Sequence, residues 1–327
     1  MYKRQPLRRR LRAVGLEALT RTAAQLPAAL LRPALGAISS GARHGKLAAR
    51  ARTNLEIAFG ATHTPDQREA ILRACFAHGA RQASEWLRLA RGADPASEQG
   101  EWIENAVRLE GNIGQLLDET RGAIVVTAHI GNWELLAAGL RRRGVRGAVI
   151  GRVNRRDGLG GWLPRMRAGY GVPTQPQDST PRELLRVLAG GGTLGLLCDL
   201  EVRRLDGEFL PFFGRDALTM TAPAALARAA KLPLIPVRCV LPPGAGVHSP
   251  YRLIIEDPIA PPPRRGGQDQ VRAVLTQLLG VYERWIKESP EQWAWHQHRW
   301  RTRPGDYDAV PMVERRRIDI AKLNDAR

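Results

Sequence analysis

A histidine and a carboxylate stand close together in one short segment of the chain. His129 and Glu134 are separated by four residues in the run GAIVVTAHIGNWELL, residues 122–136. An imidazole within reach of a carboxylate suits general-base chemistry, because the carboxylate fixes the ring tautomer and stabilises the imidazolium that forms. In the alternative interpretation, His129 only ends a strand and Glu134 faces solvent on the next helix. The tight turn at Gly131 and Asn132 favours the catalytic interpretation, since it predicts that the two side chains lie close together.

The elements on either side of this turn would position the pair. Residues 123–128 are apolar and rich in β-branched side chains, which predicts a buried strand. Residues 133–140 are apolar at helical spacing and end in three arginines and Gly144, a pattern typical of a helix end. His129 is therefore expected at the carboxyl end of a strand and Glu134 in the first turn of a helix. Ligands of open α/β sheets collect at that edge.

Strands and helices alternate along the rest of the chain. Thr64 and Thr180 each begin a capping box with proline at the next position, which predicts two helix starts. A long loop is expected after the strand at residues 194–198. The predicted strands are 124–127, 147–151, 194–198, 234–240 and 251–255, and further helices are predicted at 163–168, 222–230 and 271–287. This alternation predicts an α/β fold with a largely parallel sheet flanked by helices.

Several segments, in order along the chain, resemble one enzyme family. HIGNWE at residues 129–134 is similar to the signature of the bacterial lipid A (lauroyl/myristoyl) acyltransferase family, H-x4-D/E acyltransferases related to the glycerol-phosphate acyltransferases. RTNLEIAF at 52–59, FLPFFG at 209–214, PEQWAW at 290–295 and RWRTRP at 299–304 resemble further family segments. The resemblance implies a glycerol-phosphate-acyltransferase-like fold and catalytic roles for His129 and Glu134.

Three further candidate site residues come from the resemblance. Arg152 and Arg167 look like arginines of the family's second block, and Asp199 stands where the family usually has Asp-Gln, with Leu200 replacing the Gln. Arg167 is expected to bind a phosphate or carrier group. Arg152, or backbone amides in the turn at residues 130–133, would stabilise an oxyanion. Asp199 would position an acceptor hydroxyl, with a capping or structural role as the alternative.

The function implied is acyl transfer from a thioester, on acyl-carrier protein or coenzyme A, to a hydroxyl of a lipid A-like glycolipid. The expected location is the cytoplasmic face of the inner membrane. No metal or redox cofactor is expected, because attack on a thioester needs only proton transfer and oxyanion stabilisation. The alternatives are the same chemistry on a phosphoinositol mannoside or lysophospholipid, a hydrolase that uses water, and a non-catalytic basic protein that binds membranes or nucleic acid.

The charge of the chain implies an acidic partner. Lys and Arg number 50 against 32 Asp and Glu, a formal net charge of +18. Nucleic acid is disfavoured, because the sequence has no helix-turn-helix, zinc-ligand or RNP-type signature. Anionic lipid headgroups and an acidic acyl-carrier protein account for the charge equally well.

The amino-terminal segment is predicted to lie on a membrane. Residues 1–12 are strongly basic, and residues 13–38 are rich in Ala and Leu but interrupted by charges and prolines. This run does not supply the roughly 20 apolar residues of a spanning helix, so an amphipathic segment on anionic lipid is expected. The alternative is ordinary surface helices packed on the core. The predicted division is a membrane-associating segment at 1–45, an acyltransferase domain at 46–305 and a charged tail at 306–327.

The remaining chemically active side chains favour structural interpretations. The three cysteines lack C-x-x-C spacing and have apolar neighbours, so they are expected to be buried and reduced, with Cys198 as an alternative nucleophile. His296 and His298 are expected at the surface or at an interface and not in a metal site. The late tryptophans are expected to pack in the core and secondarily to contact a lipid interface. They are Trp285, Trp293, Trp295 and Trp300.

Overall fold

Seven strands form one sheet, and two more form a separate hairpin. The computed structural model describes residues 20, 22–26, 28–91, 98–118, 120–151, 153, 161–201 and 206–305. The strands are β1 (Val107–Glu110), β2 (Ala123–Thr127), β3 (Gly147–Gly151), β4 (Thr174–Pro176), β5 (Thr193–Leu197), β6 (Gly207–Phe212), β7 (Arg215–Met220), β8 (Leu234–Val240) and β9 (Tyr251–Ile255). The helices are α1 (Ala28–Ala42), α2 (Lys46–Phe59), α3 (Pro65–Leu89), α4 (Glu98–Ala106), α5 (Gly114–Leu117), α6 (Trp133–Arg142), α7 (Trp162–Gly169), α8 (Pro181–Ala189), α9 (Ala222–Ala230) and α10 (Gln268–Glu288).

The sheet is largely parallel, which confirms the predicted α/β class. Its order is β1-β9-β8-β2-β5-β3-β4, and the β8–β9 pair alone is antiparallel within it. β2 lies between β5 and β8, with Ile124 opposite Leu194 and Leu234. All five residues of β2 are buried. A central parallel strand is covered on both faces, which is why its sequence is a continuous apolar run and not an alternating one.

The side chains of β2 divide the core into two halves. Ile124 and Val126 belong to one apolar cluster, whereas Ala123 and Val125 belong to the other. Successive residues of a strand point to opposite faces, so β2 contributes to both clusters at once. Burying one such aliphatic side chain stabilises the fold by about 1.5–3 kcal/mol. The turn after β2 is thereby anchored to the most buried part of the molecule.

Both predicted capping boxes are confirmed. Thr64 Oγ1 accepts from the amide of Gln67, and the Gln67 side chain accepts from the amide of Thr64 at 2.7 Å. Thr180 and Glu183 make the same reciprocal pair at the start of α8, with the amide of Thr180 donating to Glu183 Oε2 at 2.7 Å. These contacts satisfy amides that have no partner inside the helix, and they explain why the two starts were visible in the sequence.

The predicted long loop after β5 is wrong, because part of it forms the hairpin of β6 and β7. Phe212 pairs with Arg215 across a two-residue turn of Phe213 and Gly214, both with positive φ, 52° and 72°. Two left-handed residues match the twist of a hairpin, but the usual Asn-Gly signal is missing here. The unusual backbone of Phe213 is supported from outside the hairpin, since its amide donates to Glu283 Oε1 at 2.7 Å.

The aromatic and sulfur side chains are core residues. Trp285 and Trp295 are fully buried, and Trp293 and Trp300 are nearly so, so the packing role is confirmed and the lipid-interface role is wrong. Cys75, Cys198 and Cys239 are free and buried. Burial raises the pKa of Cys198 well above its ordinary value, and the charge of Asp199 raises it further. The nucleophile alternative for Cys198 is therefore wrong, because its thiolate is strongly disfavoured.

The amino-terminal helix α1 packs on α3. It leaves Leu30 63% exposed and Ile38 69% exposed on its outer side. Residues 1–19, where the basic run lies, and residues 306–327 fall outside the described chain. Among the described helices, none combines the length and apolarity needed to cross a bilayer. The membrane-associating segment and the domain boundaries at 45 and 305 stay predictions.

Candidate active site

Two adjacent strands bring His129 and Asp199 together. β2 and β5 are parallel and pair Thr127 with Leu197, so the residues two positions further along each strand meet at the carboxyl edge. His129 Nδ1 lies 2.8 Å from Asp199 Oδ1, and the His129 amide donates to Asp199 Oδ2 at 2.9 Å. The same carboxylate therefore fixes both the backbone and the ring of the histidine.

Asp199 is an ionised carboxylate in a fully buried position. The indole N–H of Trp293 donates to its Oδ2 at 2.7 Å. Burial alone raises the pKa of Asp199, but the interactions with His129 and Trp293 outweigh burial and lower this pKa below its ordinary value. An ionised carboxylate only accepts hydrogen bonds, so the proton lies on Nδ1 of His129 and the lone pair on Nε2. His129 is 25% exposed, and no described residue forms a hydrogen bond with Nε2.

Glu134 pairs with residues of α7 and its C-terminal end and not with His129, the expected partner. It is 1% exposed in the first turn of α6, and neither a hydrogen bond nor an ion pair joins it to His129, both residues being described. Arg167 binds it through two nitrogens, at 2.6 and 2.9 Å, and the Tyr170 hydroxyl donates to it at 2.7 Å. The predicted contact between Glu134 and His129 is wrong for this structure, and so is the solvent-facing alternative. Glu134 connects α6 to α7.

Arg167 also makes its main contacts inside the protein. Its guanidinium is buried and its two short hydrogen bonds go to Glu134. Burial disfavours its charge, but Glu134 more than offsets this and raises the pKa of Arg167. The expectation that Arg167 binds a phosphate or carrier group is therefore wrong, because the fork that would pair with phosphate is occupied by a carboxylate. Arg152 lies outside the described residues, and its expected role stays a prediction.

The turn after His129 is locked by its backbone. Gly131 has φ +58°, and a Cβ there would lie 1.9 Å from the carbonyl oxygen of Cys239, so only glycine fits. The Gly131 amide donates to the Gln292 carbonyl at 3.0 Å, and the Asn132 amide donates to the Cys239 carbonyl at 2.8 Å. These two amides are not available to an oxyanion, which corrects the expectation for this turn. Among the described residues, the Trp133 amide, at the first position of α6, donates to no backbone carbonyl outside the helix.

The model of the bacterial lipid A biosynthesis acyltransferase family matches residues 3–302. The chain belongs to this family. The resemblance noted in the sequence is thereby confirmed, and the protein is an acyltransferase. The crystal structure of the 1-acyl-sn-glycerophosphate (LPA) acyltransferase, PlsC, from Thermotoga maritima is similar at 17% identity and a TM-score of 0.35, over 74% of this chain and 92% of that one. That TM-score is too low to carry an argument, so the assignment depends on the family match. No curated protein matches the sequence significantly.

Four residues on one face of α3, called the α3 stripe below, support the turn that follows His129. His78 Nε2 and Gln82 Nε2 lie 3.2 and 2.7 Å from the Gly131 carbonyl oxygen. Glu85 and Trp86 bind the Asn132 side chain: Asn132 Nδ2 donates to Glu85 Oε2 at 2.7 Å, and Trp86 Nε1 donates to Asn132 Oδ1 at 3.0 Å. Sequence reasoning missed all four residues. Their common signal is the spacing of 78, 82, 85 and 86, which places them on one helical face.

Burial also defines the state of the histidine in that stripe. Desolvation lowers the pKa of His78 to about 4, and the nearby charge of Arg81 lowers it as well. His78 is therefore neutral at physiological pH, and its Nε2 donates to the carbonyl of Gly131. It acts on the turn as a neutral hydrogen-bond donor.

The closing segment of the acyltransferase brings a second histidine towards the site. The Ala294 amide donates to the carbonyl of His129 at 3.0 Å, which places this segment against the end of β2. Burial lowers the pKa of His296, and the proximity of His129 and Arg50 lowers it further. His296 is half-buried and lies near His129. Among the described residues, no group of His, Cys, Asp and Glu has metal-binding geometry.

Segments that resemble the family, although distant in sequence, converge behind this site. Asn54 Nδ2 donates to the carbonyls of Trp295 and Gln297 at 2.7 and 2.9 Å. Arg299, fully buried, donates to the Leu218 carbonyl at 2.7 Å and to Thr219 Oγ1 at 2.8 Å. Burial lowers the pKa of Arg299 to about 10. The early, middle and closing segments therefore form one support for the strand end that carries His129.

Proposed function

We propose that this acyltransferase moves a fatty acyl chain from a thioester to a hydroxyl of a lipid A-like glycolipid, with His129 as general base. The main support for this proposal is the hydrogen-bonded pair of His129 and Asp199 in a chain that belongs to this family. A buried, ionised carboxylate on Nδ1 leaves Nε2 as the accepting nitrogen at a partly exposed position. That is the arrangement a base needs to activate a hydroxyl nucleophile.

The reaction would proceed by direct transfer. His129 Nε2 takes the proton of the acceptor hydroxyl as its oxygen bonds to the thioester carbonyl carbon. Asp199 stabilises the imidazolium that forms. The tetrahedral intermediate then collapses, the carbon–sulfur bond breaks, and His129 returns the proton to the departing thiolate. The Trp133 amide at the start of α6, together with Arg152, would stabilise the oxyanion. This sequence of steps needs no metal or redox cofactor.

Glu134 would be a positioning residue in this mechanism. With Arg167 and Tyr170 it joins the first turn of α6 to α7, and that first turn follows directly on the locked turn at Gly131. A buried bidentate ion pair is rigid when its geometry is good. Glu134 would then act on the placement of the Trp133 amide and not on the proton of His129.

The donor, acceptor and membrane face remain proposals of the same kind. The net charge of +18 fits acyl-carrier protein or acyl-coenzyme A as donor and anionic lipid at the cytoplasmic face of the inner membrane. The exposed Leu30 and Ile38 of α1 support a membrane-facing position for the amino-terminal helices. A lysophospholipid or a phosphoinositol mannoside is the alternative acceptor.

The test is product analysis on the full chain. The protein is incubated in lipid vesicles with labelled acyl-carrier protein or acyl-coenzyme A and with a glycolipid, a lysophospholipid or no acceptor, and products are identified by mass. Acylated glycolipid is expected, and His129→Ala should lower its formation by about 10²–10⁴-fold. His44→Ala, which removes an imidazole near the end of α1, is the matched control. Release of free fatty acid alone would show a hydrolase and contradict the proposal, as would full activity of a folded His129→Ala.

A further inference from the structure

A cavity of about 440 Å³ lies beside the α3 stripe, with which it shares Glu85. Its lining includes residues of α1, α3, α4 and the start of β9, and neither His129 nor Asp199 lines it. Four arginines line it, and one of them, Arg81, is paired with Glu85. The other three come from two parts of the chain. Arg32 belongs to α1, Arg88 lies near the end of α3, and Arg91 follows that helix.

The three guanidiniums are close enough to interact unfavourably. Burial lowers the pKa of Arg88, and the charges of Arg91 and Arg32 lower it further. Glu98 acts in the opposite direction, but the net shift of this pKa is downward. Like charges gathered around one cavity destabilise a fold unless an opposite charge is brought among them.

Contacts within the described part of the chain do not supply that opposite charge. Within the described chain, Arg32 makes no hydrogen bond or ion pair, and its Nε is buried without a partner. Arg88 lies over the Trp102 ring at 4.3 Å and donates to Gln99 Oε1 at 3.3 Å. Both partners of Arg88 are neutral, so its positive charge is not compensated by either of them.

Arg91 is similar, since it donates only to backbone carbonyls, those of Ala24 and Leu26. Two carboxylates line the cavity. Glu98 is one of them, and among the described residues it leaves the three arginines with two positive charges that no carboxylate compensates.

The second carboxylate, Glu85, already forms an ion pair with Arg81. Arg81 donates to its Oε1 at 2.9 Å, while Asn132 and Tyr251 donate to its Oε2 at 2.7 and 2.8 Å. With its charge paired and both oxygens occupied, Glu85 offers no acceptor to the arginines of the cavity. It also presents little net repulsion to an anion bound there.

We propose that this cavity binds a phosphate monoester through Arg32, Arg88 and Arg91. A phosphate monoester carries close to two negative charges at neutral pH, which matches the excess of positive charge. Guanidinium forks pair with phosphate oxygens bidentately, and the volume falls in the range of ligand pockets, so the group that bears the phosphate can enter too. The ester is either a lipid headgroup or a soluble phosphate. This site goes beyond the proposed acyl transfer and does not depend on it.

Inorganic phosphate is the first probe, titrated into the full chain at constant ionic strength and followed by calorimetry and by the thermal midpoint. Saturable binding and a rise in midpoint are expected. Arg32→Gln should weaken phosphate binding by about tenfold or more, the size of one lost charge-assisted hydrogen bond. Without phosphate the same variant should be about as stable as the parent, because Arg32 makes no hydrogen bond or ion pair within the described chain. Arg272→Gln, exposed on α10, makes the same charge change outside the cavity and should behave as the parent.

Two results would overturn the proposal: no saturable phosphate binding by the parent, or equal phosphate affinity in Arg32→Gln and Arg272→Gln. Arg88→Gln provides an independent variant with the same expectation. A second arm distinguishes the source, with phosphatidylcholine vesicles that do or do not contain phosphatidic acid. Tighter binding to phosphatidic acid vesicles than to inorganic phosphate, lost in Arg32→Gln, identifies a lipid headgroup. Equal affinities identify a soluble ester. Acyl transfer is not a readout in either arm, so failure here is distinct from failure of the proposed function.

Discussion

Asp199→Asn is the substitution that tests the proposed base most directly. Asp199 accepts from the His129 ring, from the His129 amide and from the Trp293 indole. Asn keeps the shape of the side chain, but its amide group turned towards Nδ1 would force the proton onto Nε2, which then cannot accept a proton. In a serine protease triad the same change lowers turnover by about 10⁴-fold, which corresponds to about 5.4 kcal/mol. A loss of about 10³–10⁴-fold in turnover is expected here, with a circular dichroism spectrum that shows a folded protein at the assay temperature.

The matched experiment separates Asp199 from Glu134. Glu134→Gln alone leaves the Arg167 charge buried without its partner, so a loss of about 3–5 kcal/mol in the free energy of unfolding is expected. The double variant Glu134→Gln/Arg167→Met removes both charges and keeps an acceptor for Tyr170, and replacing a whole buried pair is often nearly neutral. If Glu134 is a positioning residue, the double variant should recover stability and keep turnover within about tenfold of the parent.

Either of two outcomes in assays of acyl transfer with labelled thioester would contradict these roles of Asp199 and Glu134. One is a folded Asp199→Asn that retains near-normal turnover. The other is a folded, stable Glu134→Gln/Arg167→Met that is as inactive as His129→Ala. The second result would show that the Glu134–Arg167 pair contributes to catalysis far more than a positioning role allows.

Four further predictions concern stability and the support of the site. Because the pKa of Asp199 is lowered in the folded protein, its charge contributes to the free energy of unfolding at pH values above its unfolded pKa of about 3.9. This contribution is lost as the pH falls through the folded pKa. The free energy of unfolding should therefore depend less on pH at acid pH in Asp199→Asn than in the parent. Gly131→Ala should cost more than about 1–3 kcal/mol, because positive φ and the Cys239 carbonyl both oppose a Cβ. Gly280→Ala in α10, with open space around its Cβ, should instead stabilise by up to about 1 kcal/mol in denaturant unfolding. Gln82→Leu, which removes a donor to the Gly131 carbonyl, should lower kcat more than it raises KM, and an unchanged kcat would contradict the role of the α3 stripe.

Much of the architecture could be predicted because its signals are local. β2 is an apolar run and α6 has a basic, glycine-ended last turn, so both were recognised within a few residues of their bounds. The capping boxes at Thr64 and Thr180 depend on side chains three residues apart, so a short sequence pattern is enough to predict them. The hairpin of β6 and β7 was missed because the backbone of Phe213 is supported by Glu283, seventy positions away.

The sequence by itself determined that His129 ends a strand, that Glu134 begins a helix and that the chain belongs with lipid A acyltransferases. Only the tertiary structure decided which carboxylate the imidazole meets. The spacing of His129 and Glu134 is fixed by a turn, but a side chain on a helix can point away from the strand before it, and Glu134 pairs with Arg167. The register of β2 with β5 places Asp199 beside His129 across seventy residues of chain. Strand pairing is set by the packing of the whole sheet, and no local pattern around either residue contains it.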